Sequence, residues 1–176
     1  KSLLLSGQVL FNDELTKYVN KVAKNVLRTE KQLKKDLRFY VLKSDYVNAL
    51  STDQGIIFVT SGLIAQLENE AQLAFILAHE ISHYKEEHLR ESYIDSEYIR
   101  SRQGDNYNLS KSEIIEKLSN HSKDKELEAD EKGIELYLKS NYLVDEILST
   151  SIDGYASIRV KFDFSVSAKD GLQEVK

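Results

Sequence analysis

Residues 74–88 read AFILAHEISHYKEEH. The run from Leu73 to Ala78 is apolar at every helical angle of 100° per residue, the pattern of a helix buried all round. It passes directly into His79, Glu80 and His83, polar groups that are costly near a core unless something satisfies them. After Tyr84 the sequence turns polar, as KEEHLRE. The reading is one helix that starts near Glu68 to Glu70 with Asn69 as N-cap and runs from the core into solvent as far as Arg102.

His79 and His83 are four residues apart, which on a helix is about 40° of rotation and roughly 6 Å of rise. Both imidazoles can therefore reach one ion. Glu80 points about 100° away from His79 but only about 60° from His83. It is badly placed to ligate the same ion and well placed to reach a water beside it, where a general base belongs. This is the HExxH pattern of zinc peptidases. The competing reading is two ordinary histidines on a helix flank.

Such a site needs a third protein ligand and an open position. The chain has no cysteine, so His, Asp and Glu are the available donors. The metzincin spacing fails, because Glu86 and Leu89 stand where it requires Gly and His. His88 lies five residues past His83, about 140° round a continuous helix, and reads as a solvated histidine. A better source is KELEAD, residues 125–130. Glu126 and Asp130 are four apart on a predicted helix, with Gly133 and Tyr137 on the same stripe and Ala129 beside it. That small, acidic face would let two helices approach closely. Glu126 would ligate, and Asp130 could hold a ligating histidine by its second ring nitrogen. A solvated acidic face is the equally simple alternative, since Glu128, Glu131 and Glu135 are nearby.

The rest of the chain supplies a scaffold. Its 176 residues are 41% hydrophobic and 30% charged, enough for one domain with a real core. A net charge of −5 argues against nucleic acid or an anionic membrane as the main partner. No run approaches the roughly 18 apolar residues of a membrane span. Residues 12–30 read as an amphipathic helix capped by Asn12 or Asp13, with Leu15, Tyr18, Val19, Val22 and Val26 on one stripe. Strands are expected at 37–42, 46–50 and 56–60, and a short helix at 61–67. Beyond the central helix, 103–112 reads as a loop, and 111–119, 123–140 and 144–149 as helices, with Asn141 as a left-handed stop.

HEISH followed by ELEAD resembles the HtpX and CAAX-prenyl-endopeptidase family of zinc metallopeptidases, whose signature is HExxH and then ExxxD on a later helix. The likeness covers roughly residues 8–145. It is most specific over 46–88, where YVNALSTDQGIIFVTSGLIAQL leads into the HExxH helix. It implies an α+β, gluzincin-like fold: a small mixed sheet packed on a helical bundle around a buried HExxH helix. It also implies one Zn2+ per chain, held by His79, His83 and Glu126, with Glu80 as general base and Asp130 as support. Asn48 and Ala49 match the family's Asn-Ala on the strand above that helix, where a polypeptide substrate would add itself as an extended strand.

The expected function is hydrolysis of internal peptide bonds, in envelope protein quality control. The alternative is a proteolytically silent or latent zinc-stabilised module that grips unfolded chains. Residues 1–164 are expected to form the metallopeptidase domain and 165–176 a tail open to further sequence. The implied location is the bacterial cell envelope, periplasmic or lipid-anchored after removal of a leader. Family members often carry His-Pro and then Arg after the third-ligand helix, whereas this chain has no Pro and no His after His121. Tyr142, Tyr155 and Arg159 remain as candidate oxyanion donors, and His121 reads as a surface histidine.

Overall fold

The structure, a computed structural model, describes Leu4, residues 7–92 and residues 111–143, with side chains from Ser122 onward in the last span. Four strands form one mixed sheet in the order β1 (Val9–Leu10), β2 (Arg38–Leu42), β4 (Ile56–Thr60) and β3 (Ala49–Ser51). The two central strands run parallel, with Val41 opposite Val59, and each outer strand is antiparallel to its neighbour. Ile57 to Thr60 are all buried, so both faces of β4 are covered and IIFVT reads as a continuous apolar run rather than an alternating one.

The strand expected at 46–50 is shorter and later. Residues 46–48 are instead held by the Thr60 hydroxyl. Its oxygen accepts from the Asn48 amide at 3.0 Å, and its single proton is shared between the carbonyls of Tyr46 (2.6 Å) and Asn48 (2.9 Å). The same oxygen caps α3 (Ser61–Gln66) by accepting from Leu63 N at 3.2 Å. Gly62 is required here, because a Cβ would lie 2.4 Å from the Asp45 carbonyl oxygen.

Among the flanking helices, α1 (Glu14–Val26) is capped by Asp13, whose carboxylate accepts from Leu15 N and Thr16 N. Its buried stripe is Val19, Val22, Ala23 and Val26, while Leu15, expected on that stripe, is exposed. β1 and the single-turn α2 (Leu33–Asp36) were not expected from the sequence, being too short to show a period.

The central helix α4 (Glu70–Lys85) starts at its expected cap, where Asn69 Oδ1 accepts from Gln72 N at 2.9 Å. Every residue from Ala71 to Ser82 is buried. α4 does not continue to Arg102. It closes at Glu86, Glu87 takes a left-handed φ of 55°, and residues 88–92 are helical again in a new direction. A left-handed non-glycine residue costs roughly 1–2 kcal/mol, so other contacts must hold this break.

α5 (Lys111–Leu138) is one helix where two were expected. It packs along α4 on its small face: Ala129 is fully buried, and a Cβ on Gly133 would lie 3.1 Å from both Cα and N of His79. Phe75 and Tyr137 meet edge to face with ring centroids 6.1 Å apart. Asn141 is not a left-handed stop, since Asn12 and Glu87 are the only non-glycine residues of positive φ among those described. The segment 93–110, the helix expected at 144–149 and the tail from 165, with its boundary at 164, lie outside the described residues. Among those described, no helix is long and apolar enough to cross a membrane.

Candidate metal centre

The last two turns of α4 carry His79, Glu80 and His83 out of the core, and α5 brings Glu126 and Asp130 to meet them. Nε2 of His79 and Nε2 of His83 are 3.0 Å apart. Glu126 lies opposite, one carboxylate oxygen 3.5 Å from Nε2 of His79 and the other 3.5 Å from Nε2 of His83. Asp130 Oδ1 sits 2.8 Å from Nδ1 of His79. That contact requires a proton on Nδ1 and leaves the lone pair of Nε2 facing His83 and Glu126.

In the tautomer of His83 that leaves its Nε2 unprotonated, lone pairs of His79, His83 and Glu126 converge on a place that a cation satisfies. The 3.0 Å edge between the two ring nitrogens is close to that of tetrahedral coordination, in which ligands at about 2.0–2.1 Å from an ion are about 3.3 Å from one another, and the Glu126 carboxylate approaches both rings at 3.5 Å, one oxygen to each. The donor set thus fits a divalent ion with one position left open. Without an ion, a proton takes that place. Burial works against a charged His79, but hydrogen bonds to Asp130 and Glu126 and the nearby carboxylates outweigh it, and its pKa is pushed up to about 9. Hydrogen bonds from His79 and His83 hold the Glu126 carboxyl well below the usual carboxylate range.

These groups open into a cleft of about 460 Å³. Glu80, itself 5% exposed, lines it beside His79 and His83, and residues 47–51 form the facing wall. Asn48 and Ala49 thus lie over the helix, where β3 is the outermost strand among the described residues. His79, Glu80, His83, Glu126, Asn48 and Ala49 all line this one cleft, and Asp130 backs His79.

Other expectations need correction. His88 is not solvated. Its side chain is 3% exposed, with Nδ1 3.0 Å from Nδ1 of His83 and Nε2 3.2 Å from Glu128 Oε2. A continuous helix would turn His88 about 140° away from His83, and the left-handed break at Glu87 ends that continuity. Lys125 was also overlooked. It is buried, with Nζ 3.4 Å from the His88 carbonyl, 3.3 Å from Ser92 Oγ and 3.5 Å from Glu91. Tyr142 is no oxyanion donor, because its hydroxyl donates to Glu70 at the far end of α4 at 2.6 Å. Tyr155, Arg159 and the side chain of His121 lie outside the described residues.

The sequence profile of peptidase family M48 matches residues 12–157, most of the chain. The chain belongs to peptidase family M48. This is the metallopeptidase family that includes the HtpX-like members whose motif it shares, and the mixed α+β architecture is consistent with an M48 domain. Individual relatives agree. The chain is 33% identical over 89 residues to the beta-barrel assembly-enhancing protease of Escherichia coli strain K12, and 29% identical over 89 residues to that of Yersinia pestis. It is 28% identical over 91 residues to a putative protein of the same name from Vibrio cholerae. Each match covers about half of this chain and under a fifth of the M48 relative, 18% for the first two and 19% for the third.

Proposed function

We propose that this M48 domain is a zinc-dependent endopeptidase, with one Zn2+ held by His79, His83 and Glu126. The observation that carries the reading is the convergence of two ring nitrogens and the Glu126 carboxylate, one ligand atom from each within 4.8 Å of the others, with a buried carboxylate, Glu80, next to them in a cleft that faces a strand. When bound, zinc supplies Lewis acidity, polarising a scissile carbonyl and acidifying water. Glu80 takes the proton of the attacking water and passes it to the leaving amine. Asp130 holds the His79 ring in the tautomer that presents Nε2 to the ion.

The substrate is a polypeptide lying extended along β3. The Asn48 amide and carbonyl face Thr60, so backbone hydrogen bonds along the outer edge of β3 would set the substrate's register, and the cleft would receive alternate side chains. The domain is taken to run over residues 1–164, with 165–176 as a tail. Since the relatives are named for enhancing β-barrel assembly, envelope proteins in incompletely folded states are the proposed substrates, and the bacterial envelope the proposed location.

The test is casein digestion with zinc content measured alongside. The parent protein cleaves and loses activity to a chelator. Glu80→Gln retains zinc and loses activity by at least about 10³-fold, within the range expected for removing a general base. Cleavage by Glu80→Gln at the parental rate would overturn the role of Glu80. A zinc-loaded parent that never cleaves would favour the silent module that grips unfolded chains.

A further inference from the structure

His79 has its orienting carboxylate in Asp130, while the HExxH and ExxxD motifs provide no partner for the second ring nitrogen of His83. The structure provides one. We propose that His88 and Glu128 form an orienting chain for His83, fixing the ring that presents Nε2 to the metal. The proposal rests on the zinc reading above and adds two positioning residues to it.

The hydrogen-bond polarity runs one way. If Nε2 of His83 offers its lone pair to an ion, the proton of that ring is on Nδ1. Nδ1 of His88 is 3.0 Å away and must then accept, which puts the His88 proton on Nε2. That nitrogen is 3.2 Å from Glu128 Oε2, an acceptor. Each donor in the chain His83, His88, Glu128 meets one acceptor, and no two protons collide. The His88 ring is also edge-on to His83, with centroids 5.1 Å apart, so it limits rotation by packing as well.

The backbone is bent for this contact. In an unbroken helix His88 would face about 140° away from His83. The left-handed turn at Glu87 redirects residues 88–92 so that the His88 ring folds back onto the metal-binding turn. Strained, non-glycine backbone of this kind persists where surrounding contacts over-determine it. Lys125 supplies such contacts, reaching from α5 to the His88 carbonyl, Ser92 Oγ and Glu91.

The experiment measures zinc affinity by chelator competition in five proteins: the parent, His88→Phe, His88→Gln, Glu128→Ala and Glu128→Gln. Far-ultraviolet circular dichroism and thermal unfolding of the metal-free forms serve as the fold control. His88→Phe is expected to weaken zinc binding about ten- to hundredfold, the usual effect of losing a partner behind a metal-bound histidine. His88→Gln restores most of it, because its amide can accept from His83 and donate to Glu128. Glu128→Ala, at a half-exposed side chain that folding tolerates, weakens binding less than His88→Phe, and Glu128→Gln recovers it. The cobalt-substituted forms give a second readout: the visible absorption band shifts in His88→Phe and returns in His88→Gln. If His88→Phe and Glu128→Ala fold and bind zinc within about threefold of the parent, the orienting chain is refuted and the zinc site stands. If the parent binds no zinc, both fall. Should His88→Phe not fold, the Glu128 pair decides alone.

Discussion

Gly133 lies directly on the backbone of His79, with room for a hydrogen atom and not for a methyl group: a Cβ there would sit 3.1 Å from His79 Cα and 3.1 Å from its N. The atoms it meets belong to the fully buried part of α4, which cannot give way as a flexible side chain would. Although glycine is normally the poorer helix residue by about 1 kcal/mol, a larger residue here is expected to cost more than it returns. Gly133→Val should lower stability by about 1–3 kcal/mol through overpacking. It should also weaken zinc binding, because Glu126 and Asp130 ride on the displaced helix. Thermal unfolding and chelator competition would measure both effects.

Asp130 touches the His79 ring, through which it would act on the proposed ion. Asp130→Ala should therefore reduce zinc affinity about ten- to hundredfold and leave the proposed peptide-binding wall at residues 47–51 intact. The kinetic signature at saturating zinc is a fall in kcat with KM nearly constant. A KM that rises in parallel would place Asp130 in substrate binding instead.

The raised pKa of His79 predicts how the metal-free protein responds to pH. Since the folded pKa of about 9 exceeds the ordinary value of 6.5, the stability contributed by this proton is fully present below about pH 6.5. It is lost as pH rises through about 9. The depressed Glu126 carboxyl works from the other side, its contribution present above the ordinary carboxylate range and lost as pH falls into it. Metal-free protein should thus be most stable near pH 5–6.5 and lose on the order of 2–3 kcal/mol by pH 9. Zinc must displace the same proton, so its apparent affinity should rise about tenfold per pH unit up to about pH 9. Denaturant titrations and competition assays across pH 6–9 test both trends.

Thr60 serves two structures with one hydroxyl, capping α3 and fastening the residues that lead into β3. Thr60→Val keeps the shape and removes every one of those bonds, leaving the buried Leu63 N–H without that acceptor. The expected cost is about 1–3 kcal/mol. Because Asn48 is positioned through this hydroxyl, KM for an extended peptide should rise more than kcat falls. Equal changes in both would separate residues 46–48 from substrate binding.

Much of this architecture is written locally. Asn69 caps α4 and IIFVT forms β4 where period and capping chemistry put them. Helical spacing puts Glu126, Ala129, Asp130, Gly133 and Tyr137 on one stripe, and the burial of Ala129 and Tyr137 makes that stripe a close-packing face, where spacing alone left a solvated acidic face as an equal alternative. What escaped the sequence depends on tertiary contact. Lys85, Glu86 and Glu87 are all good helix formers, and nothing in them announces a left-handed turn. The buried site of His88 was consequently invisible. The stretch SNHS at 119–122 looks like a break between helices, yet α5 runs through it. β1 and α2 are held by neighbours and carry too few residues to declare themselves.

Glu126, Glu128 and Asp130 occupy alternate places within little more than one turn of α5, so covalent geometry locks their mutual offsets to about 1.5 Å per residue. They cannot drift separately. How α5 is seated on its neighbour is consequently the single mechanical coordinate that assembles or disperses the centre. A slip of one residue, about 100° of roll, would carry all three carboxylates off their histidines together.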